Sequence, residues 1–147
     1  MSRPAATPRA TPLILGHLLV PAALNLRDAT AQALAPLQLT PREFGLLNQV
    51  VLEPGLSQAR LGELLRIDRS TTVLMLDRLC ERGWVERTAD EADRRVYRIR
   101  PSRGGLAVHG RAAAEVAATE QRFLAPIGPE LAAQLHAALL ALHAARR

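Results

Sequence analysis

The sequence predicts a mainly α-helical fold with one small β-hairpin, and three stretches carry that prediction. Residues 57–82 hold two short helical patterns separated by a break at Ile67-Asp68. Residues 84–100 alternate apolar and charged side chains on both sides of a polar turn, as a hairpin does. Both flanks, 12–35 and 102–147, are rich in alanine and leucine at helical spacing. Helix, turn, helix and then an arginine-tipped ribbon is the order in which a winged helix-turn-helix meets duplex DNA.

Met1 to Thr11 is rich in Pro, Ala and Thr and is expected to be a disordered tail. The apolar run Leu13 to Val20 invites a signal-peptide reading. His17 interrupts that run, Pro21 follows it, and Asn25, Arg27 and Asp28 continue a helical periodicity, so a helix over 12–35, bent at Pro21, is expected instead. Leu13, Leu18, Leu24 and Leu34 make it more apolar than the end of a 147-residue monomer requires. No segment approaches the length needed to span a membrane.

Thr40 caps the next helix, Pro41 takes its first position, Glu43 closes a capping box and Leu39 staples against Phe44. Leu46, Leu47, Val50 and Val51 supply a core face, and Glu53-Pro54-Gly55 ends the helix. Ser57 then caps the first helix of the central pair, with Leu61, Leu64 and Leu65 inward.

Asp68 caps the second helix of the pair, where its carboxylate accepts from free N–H groups of the first turn. Val73, Leu76, Leu79 and Cys80 fall on one side. Thr71, Met75, Arg78 and Arg82 fall on the other, with Ser70 and Leu74 flanking. Small hydroxyls near the start and arginines further on suit base edges and phosphates, although a solvated helix face would present polar groups too. The expected DNA contacts here are Arg69, Ser70, Thr71, Thr72, Met75 and Arg78.

Gly83 fits the left-handed residue that ends this helix. In the hairpin that follows, Tyr97 and Ile99 share a face, and Arg94 and Arg95 stand at the tip beside Asp90, Glu91 and Asp93. An arginine on a thin ribbon can enter a narrow minor groove, and Asp93 can tether one guanidinium while the other points outward. The same residues equally describe a solvated turn with surface ion pairs worth at most about 1 kcal/mol each.

A long helix from Ser102 to about Leu124 is expected next, striped by Leu106, His109, Ala113, Val116 and Phe123. Gly104, Gly105 and Gly110 each weaken it by about 1 kcal/mol relative to alanine, which points to close packing near its start. After a corner at Pro126 and Gly128-Pro129, Leu131, Leu135, Ala138, Leu139 and Leu142 form a heptad-like stripe. That stripe fits an intramolecular core as well as a partner helix.

The stretch 39–105 resembles the MarR family of regulators. The resemblance rests on Leu39-Thr40 with Glu43, Pro54-Gly55-Leu56-Ser57-Gln58, Leu61, Leu64 and Ile67-Asp68-Arg69-Ser70-Thr71. It continues through Leu76-Asp77-Arg78-Leu79, Arg82-Gly83-Trp84-Val85-Glu86-Arg87 and Asp93-Arg94-Arg95. Two departures stand out. Arg100-Pro101-Ser102 replaces the usual Leu-Thr at the end of the wing, leaving Ser102 to cap the next helix, and position 74, often polar or basic in the family, is Leu.

The resemblance implies a winged helix-turn-helix over 38–101 and a dimerisation region formed by 12–37 and 102–147. It further implies a cytoplasmic homodimer on double-stranded DNA, a repressor on a pseudopalindromic operator released by a small aromatic or phenolic effector or a stress signal. A pocket of His17, Leu46, Leu47, Trp84 and His109 is the lining so implied, and each of these residues is equally ordinary core or surface. The alternative is an interaction module that keeps the fold with impaired DNA binding, for which Leu74 and the altered end of the wing argue.

Composition is compatible with this reading and decides little. All nineteen basic residues are arginine and the formal net charge is +5, which favours an anionic partner. The chain is 48% hydrophobic but only 3% aromatic, so alanine and leucine carry the packing. A single cysteine excludes an internal disulfide and fits a reducing compartment. Cys80 is either a small core residue or a redox-sensitive thiol whose oxidation would distort its helix. His136 and His143 are two turns apart, too far to share a metal, and no cofactor is expected. Nothing resembles a nucleophile with its base, a phosphate cradle or a carboxylate pair, so the chain is not read as an enzyme.

Overall fold

The computed structural model describes residues 14–145, so the expected tail over 1–11 lies outside the described residues. Helix α1 (Leu15–Leu34) passes through Pro21 and ends in a 3-10 turn, Ala35–Leu37. Proline at that position removes the N–H that would bond the His17 carbonyl, yet the helix continues on both sides. Helix α2 (Pro41–Leu52) starts on the expected capping box. Glu43 N donates to Thr40 Oγ1 at 3.1 Å and Thr40 N donates to Glu43 Oε2 at 2.9 Å.

A two-residue strand, β1 (Leu56–Ser57), precedes α3 (Gln58–Leu65), which the Ser57 hydroxyl caps at 3.2 Å from Arg60 N. Helix α4 (Arg69–Glu81) follows a turn in which Arg66 takes the left-handed conformation at φ 53°. Strands β2 (Val85–Ala89) and β3 (Tyr97–Pro101) form the hairpin. Because β1 pairs with β3 through Leu56 and Ile99, the sheet has three antiparallel strands in the order β1-β3-β2, one more than the expected ribbon. Tyr97 and Ile99 part company: Ile99 is fully buried and Tyr97 is exposed.

Gly83 has φ +68°, its N–H bonds the Cys80 carbonyl, and Trp84 N bonds the Leu79 carbonyl, the pair of bonds that closes a Schellman cap. Helix α5 (Arg103–Leu124) docks on that cap. Ser102 accepts from Gly105 N at 2.9 Å, and a Cβ at Gly105 would fall 1.8 Å from the Trp84 carbonyl oxygen. The buried line of α5 is Gly105, Val108, Ala112 and Thr119; Leu106, expected inward, is exposed. A 3-10 turn, Ala125–Ile127, leads to α6 (Gly128–Ala144).

One core joins these elements. Leu34, Leu46, Leu47, Val50, Leu61, Leu76, Leu79 and Ile99 are fully buried and come from α1, α2, α3, α4 and β3. The sheet and α5 close that core, which anchors α4 and the hairpin. In contrast, no residue of α6 is buried, and Leu131, Leu139, Leu140 and Leu142 stand open, as do Leu15, Leu18, Val20 and Leu24 on α1. Among the described residues no helix is long and apolar enough to cross a membrane.

Candidate nucleic-acid interface

The first turn of α4 is built around one carboxylate. Asp68 Oδ1 accepts from Thr71 N at 2.9 Å and from the Ser70 hydroxyl at 2.7 Å, while Oδ2 accepts from the Thr71 hydroxyl at 2.7 Å. The Ser70 hydroxyl, then the Thr71 hydroxyl and amide, hold the Asp68 carboxyl well below the usual carboxylate range. Arg69 and Ser70 are exposed and Thr71 is half-buried. Leu74, one turn on, is 52% exposed.

Two residues expected to face DNA turn inward. Thr72 is 1% exposed and Met75 is 5% exposed. The Thr72 hydroxyl donates to the Asp68 carbonyl at 2.9 Å, and the side chain closes on Gly62, where a Cβ would sit 3.0 Å from Thr72 Oγ1. Thr72, Met75, Leu76 and Leu79 have the i, i+3, i+4, i+7 spacing of a core stripe, and Val73 and Cys80 lie at its half-buried margins. A hydroxyl near a helix start reads as a contact residue; its true signal was the stripe it begins.

Arg78 stays outward, with its Nη1 3.8 Å from Oε1 of the buried Glu43. Arg82 does not face outward freely. Its guanidinium lies 5.0 Å over the Trp84 ring and donates to the Gln38 carbonyl, clamping the end of α4 to the turn after α1. Arg87, which sequence reasoning missed, reaches from β2 to α4, donating to Asp77 Oδ1 and to the Val73 carbonyl, while its buried Nε has no partner among the described residues. Ten residues and a change of element separate Arg87 from Asp77, so no local spacing rule could reveal the pair.

The hairpin tip is tied by carboxylates. Asp90 Oδ1 accepts from Ala92 N at 2.9 Å and Asp93 N at 3.1 Å, and its Oδ2 takes Arg98 Nε. Asp93 Oδ1 accepts Arg95 N at 3.0 Å and Arg95 Nε at 3.1 Å. Arg98 is the main cause of a lowered pKa at Asp90, and Arg95 of the one at Asp93. The expected tether therefore holds Arg95, whose side chain is nevertheless 91% exposed. Arg94 is exposed and makes no ion pair among the described residues. Arg66, Arg69 and Arg95 line a common open cleft of about 700 Å³ between α3, the start of α4 and the wing.

The MarR family model matches residues 37–96, which run from the turn before α2 to the wing. The HTH-type transcriptional repressor Rv2887 of Mycobacterium tuberculosis is 34% identical over 111 residues, covering 76% of this chain and 80% of that protein. The chain belongs to the MarR family. Members of this family are transcription regulators, not enzymes. Against several other curated relatives the match is shorter. With the multiple antibiotic resistance protein MarR of Escherichia coli it is 32% identical over 75 residues, and the chain spans about half the length of that relative, 52%.

Among solved structures, the transcriptional repressor CouR bound to a 23-mer DNA duplex superposes with a TM-score of 0.83 at 32% identity, covering 88% of this chain and 92% of that one. Rv2887 in complex with salicylic acid superposes at 0.75 and 31% identity, covering 90% and 98%. The residues of the effector lining that the MarR resemblance implied take separate places in the fold. Leu47 is core, Trp84 lies under Arg82, and His109 stacks on Phe44 at 5.8 Å while its Nε2 meets Asn48 Oδ1 at 2.9 Å. His17 is exposed on the first turn of α1. Leu47, Trp84 and His109 are thus engaged by the fold while His17 is not, and none of the four lines the clefts outlined by α1, α2, α3, α4 and the wing.

Cys80 is half-buried, and burial pushes its thiol pKa up, which lowers the thiolate fraction that oxidation needs. Among the described residues no group of three His, Cys, Asp or Glu side chains could hold a metal ion.

Proposed function

We propose that this MarR-family chain is a cytoplasmic, homodimeric repressor that binds a pseudopalindromic operator in double-stranded DNA. One observation carries the proposal: Arg69, at the start of α4, and Arg95, on the wing, line the same open cleft. An α-helix laid in a major groove and a ribbon reaching the neighbouring minor groove need that adjacency. Arg69, Ser70, Thr71 and Arg78 are the contacts from α4, and Arg94 and Arg95 those from the wing, with Asp93 steering Arg95. CouR, the neighbour bound to duplex, supports the reading by its likeness over most of this chain.

The open leucines of α1 and α6 support pairing of two copies, since α6 has no buried residue and its apolar face needs cover. Residues 12–37 and 102–147 form the dimerisation region in this proposal, and 38–101 the reading head. A small aromatic carboxylate is the proposed releasing ligand, after the salicylic acid found on Rv2887. The cleft with suitable chemistry lies between α1, α2 and α4, where Ala31, Pro41, Leu74 and Met75 offer apolar walls and Arg27 and Arg78 offer charge. A ligand there sits against the side of the reading helix.

Fluorescence anisotropy with labelled duplex across a salt series tests DNA binding. Affinity should fall steeply with salt because each neutralised phosphate releases counterion. Arg94→Ala should weaken binding and reduce the log–log salt slope by about 1. Affinity unchanged by Arg94→Ala and Arg95→Ala, or no binding at low salt, favours the interaction-module alternative.

A further inference from the structure

The Asp68 carboxylate determines what the start of α4 can ask of a base. An ionised carboxylate only accepts hydrogen bonds, so a hydroxyl 2.7 Å from it must be donating its single proton. Both outer hydroxyls of the turn are in that position: Ser70 on Oδ1 and Thr71 on Oδ2. With their protons directed back at Asp68, they retain only lone pairs for anything in front of them. Serine and threonine hydroxyls are ordinarily indifferent readers, able to donate or accept. Here that indifference is removed by the residue that caps the helix.

Resting on the DNA-binding reading above, we propose that Ser70 and Thr71 are specificity-determining residues that act as obligate acceptors, selecting bases that present an exocyclic amine in the major groove. Those groups are the N6 amine of adenine and the N4 amine of cytosine. Guanine shows only N7 and O6 there, and thymine O4 and a methyl, so an acceptor meets an acceptor and the pair is rejected. The buried hydroxyl nearby takes no part: Thr72 donates to the Asp68 carbonyl from inside the core. Asp68 is thus a positioning residue for two protons and touches no base itself.

The test uses full-length protein and a duplex recovered from random sequence by rounds of binding. Each half-site adenine is replaced in turn by purine, which lacks the N6 amine, and each cytosine by 2-pyrimidinone, which lacks the N4 amine. Loss of one such hydrogen bond should weaken wild-type binding about 3- to 10-fold at one or two positions per half-site and leave other positions unaffected. In Thr71→Val, which keeps the β-branch and the volume, sensitivity at the Thr71 position should disappear.

Asp68→Asn gives the sharper result. Asn caps a helix as well as Asp, so the fold is kept, and its Oδ1 still accepts from Ser70. Its amide nitrogen replaces Oδ2 and donates to Thr71, whose own proton then turns outward. Base preference at the Thr71 position should move toward guanine or thymine. Wild-type indifference to amine removal at every position, or an Asp68→Asn preference identical to wild type, would overturn the proposal while leaving DNA binding intact. Failure to recover any duplex at low salt would instead sink the DNA-binding reading beneath it.

Discussion

Leu74 presents a branched hydrocarbon among hydroxyls and guanidinium groups, half-exposed and one turn beyond Ser70. In a major groove the apolar feature available to it is the C5-methyl of thymine. Burying one methyl is worth about 0.8 kcal/mol, so Leu74→Ala should weaken operator binding about fourfold without altering the salt slope. Uracil in place of the contacted thymine should cost the wild type a similar factor and the variant nothing. Thr72 is the opposite case. Thr72→Val removes a buried hydrogen bond and should cost about 1 kcal/mol of stability in urea denaturation, with base preference unchanged. At this scale the sequence was half legible. The caps Thr40, Ser57, Asp68 and Ser102 and the left-handed Gly83 follow local rules and all appear in the structure. Which side of α4 faces the core depends on its neighbours, and the missing side chain of Gly62 leaves the room that Thr72 fills.

The elements that matter most are the wing and the junction where α5 meets the end of α4. A methyl at Gly105 has no room against the Trp84 carbonyl, and both groups are backbone or backbone-anchored. Gly105→Ala should therefore cost about 3 kcal/mol or more, measured by denaturant unfolding, and loosen the wing whose strand β2 starts beside Trp84. The wing and the α4 cap also have a pH dependence of definite sign. Asp68, Asp90 and Asp93 all have folded pKa values below their ordinary range, so their bonds contribute fully above about pH 4 and are lost as pH falls below it. Amide exchange followed by NMR should show the hairpin tip and the α4 cap opening under acid before the core strands and helices do. The hairpin itself was plain from its alternation. Strand β1 was not, because two residues carry no periodicity, and neither was the Arg87–Asp77 strap, since only the tertiary fold brings its halves together.

As a whole molecule, the chain keeps its apolar surplus at the two ends of its sequence. Leu15, Leu18 and Leu24 on α1, with Leu131, Leu139 and Leu142 on α6, are uncovered, and a coiled-coil-like stripe accounts for the latter set. Leu135→Glu with Leu139→Glu changes residues that the single chain leaves exposed or partly exposed, so the fold should survive. Sedimentation should then report half the wild-type mass, and operator binding should fall with it. The family and the order of elements could be read from local motifs, but the occupant of these faces could not, because a stripe has the same pattern whether it meets its own chain or another. Selection of bound sites from a random duplex pool addresses the paired geometry directly. A homodimer on a pseudopalindromic operator should yield a two-fold symmetric consensus with half-site centres about 10 base pairs apart, one turn of B-form duplex. A consensus without symmetry, or a pool that does not enrich at low salt, would contradict it.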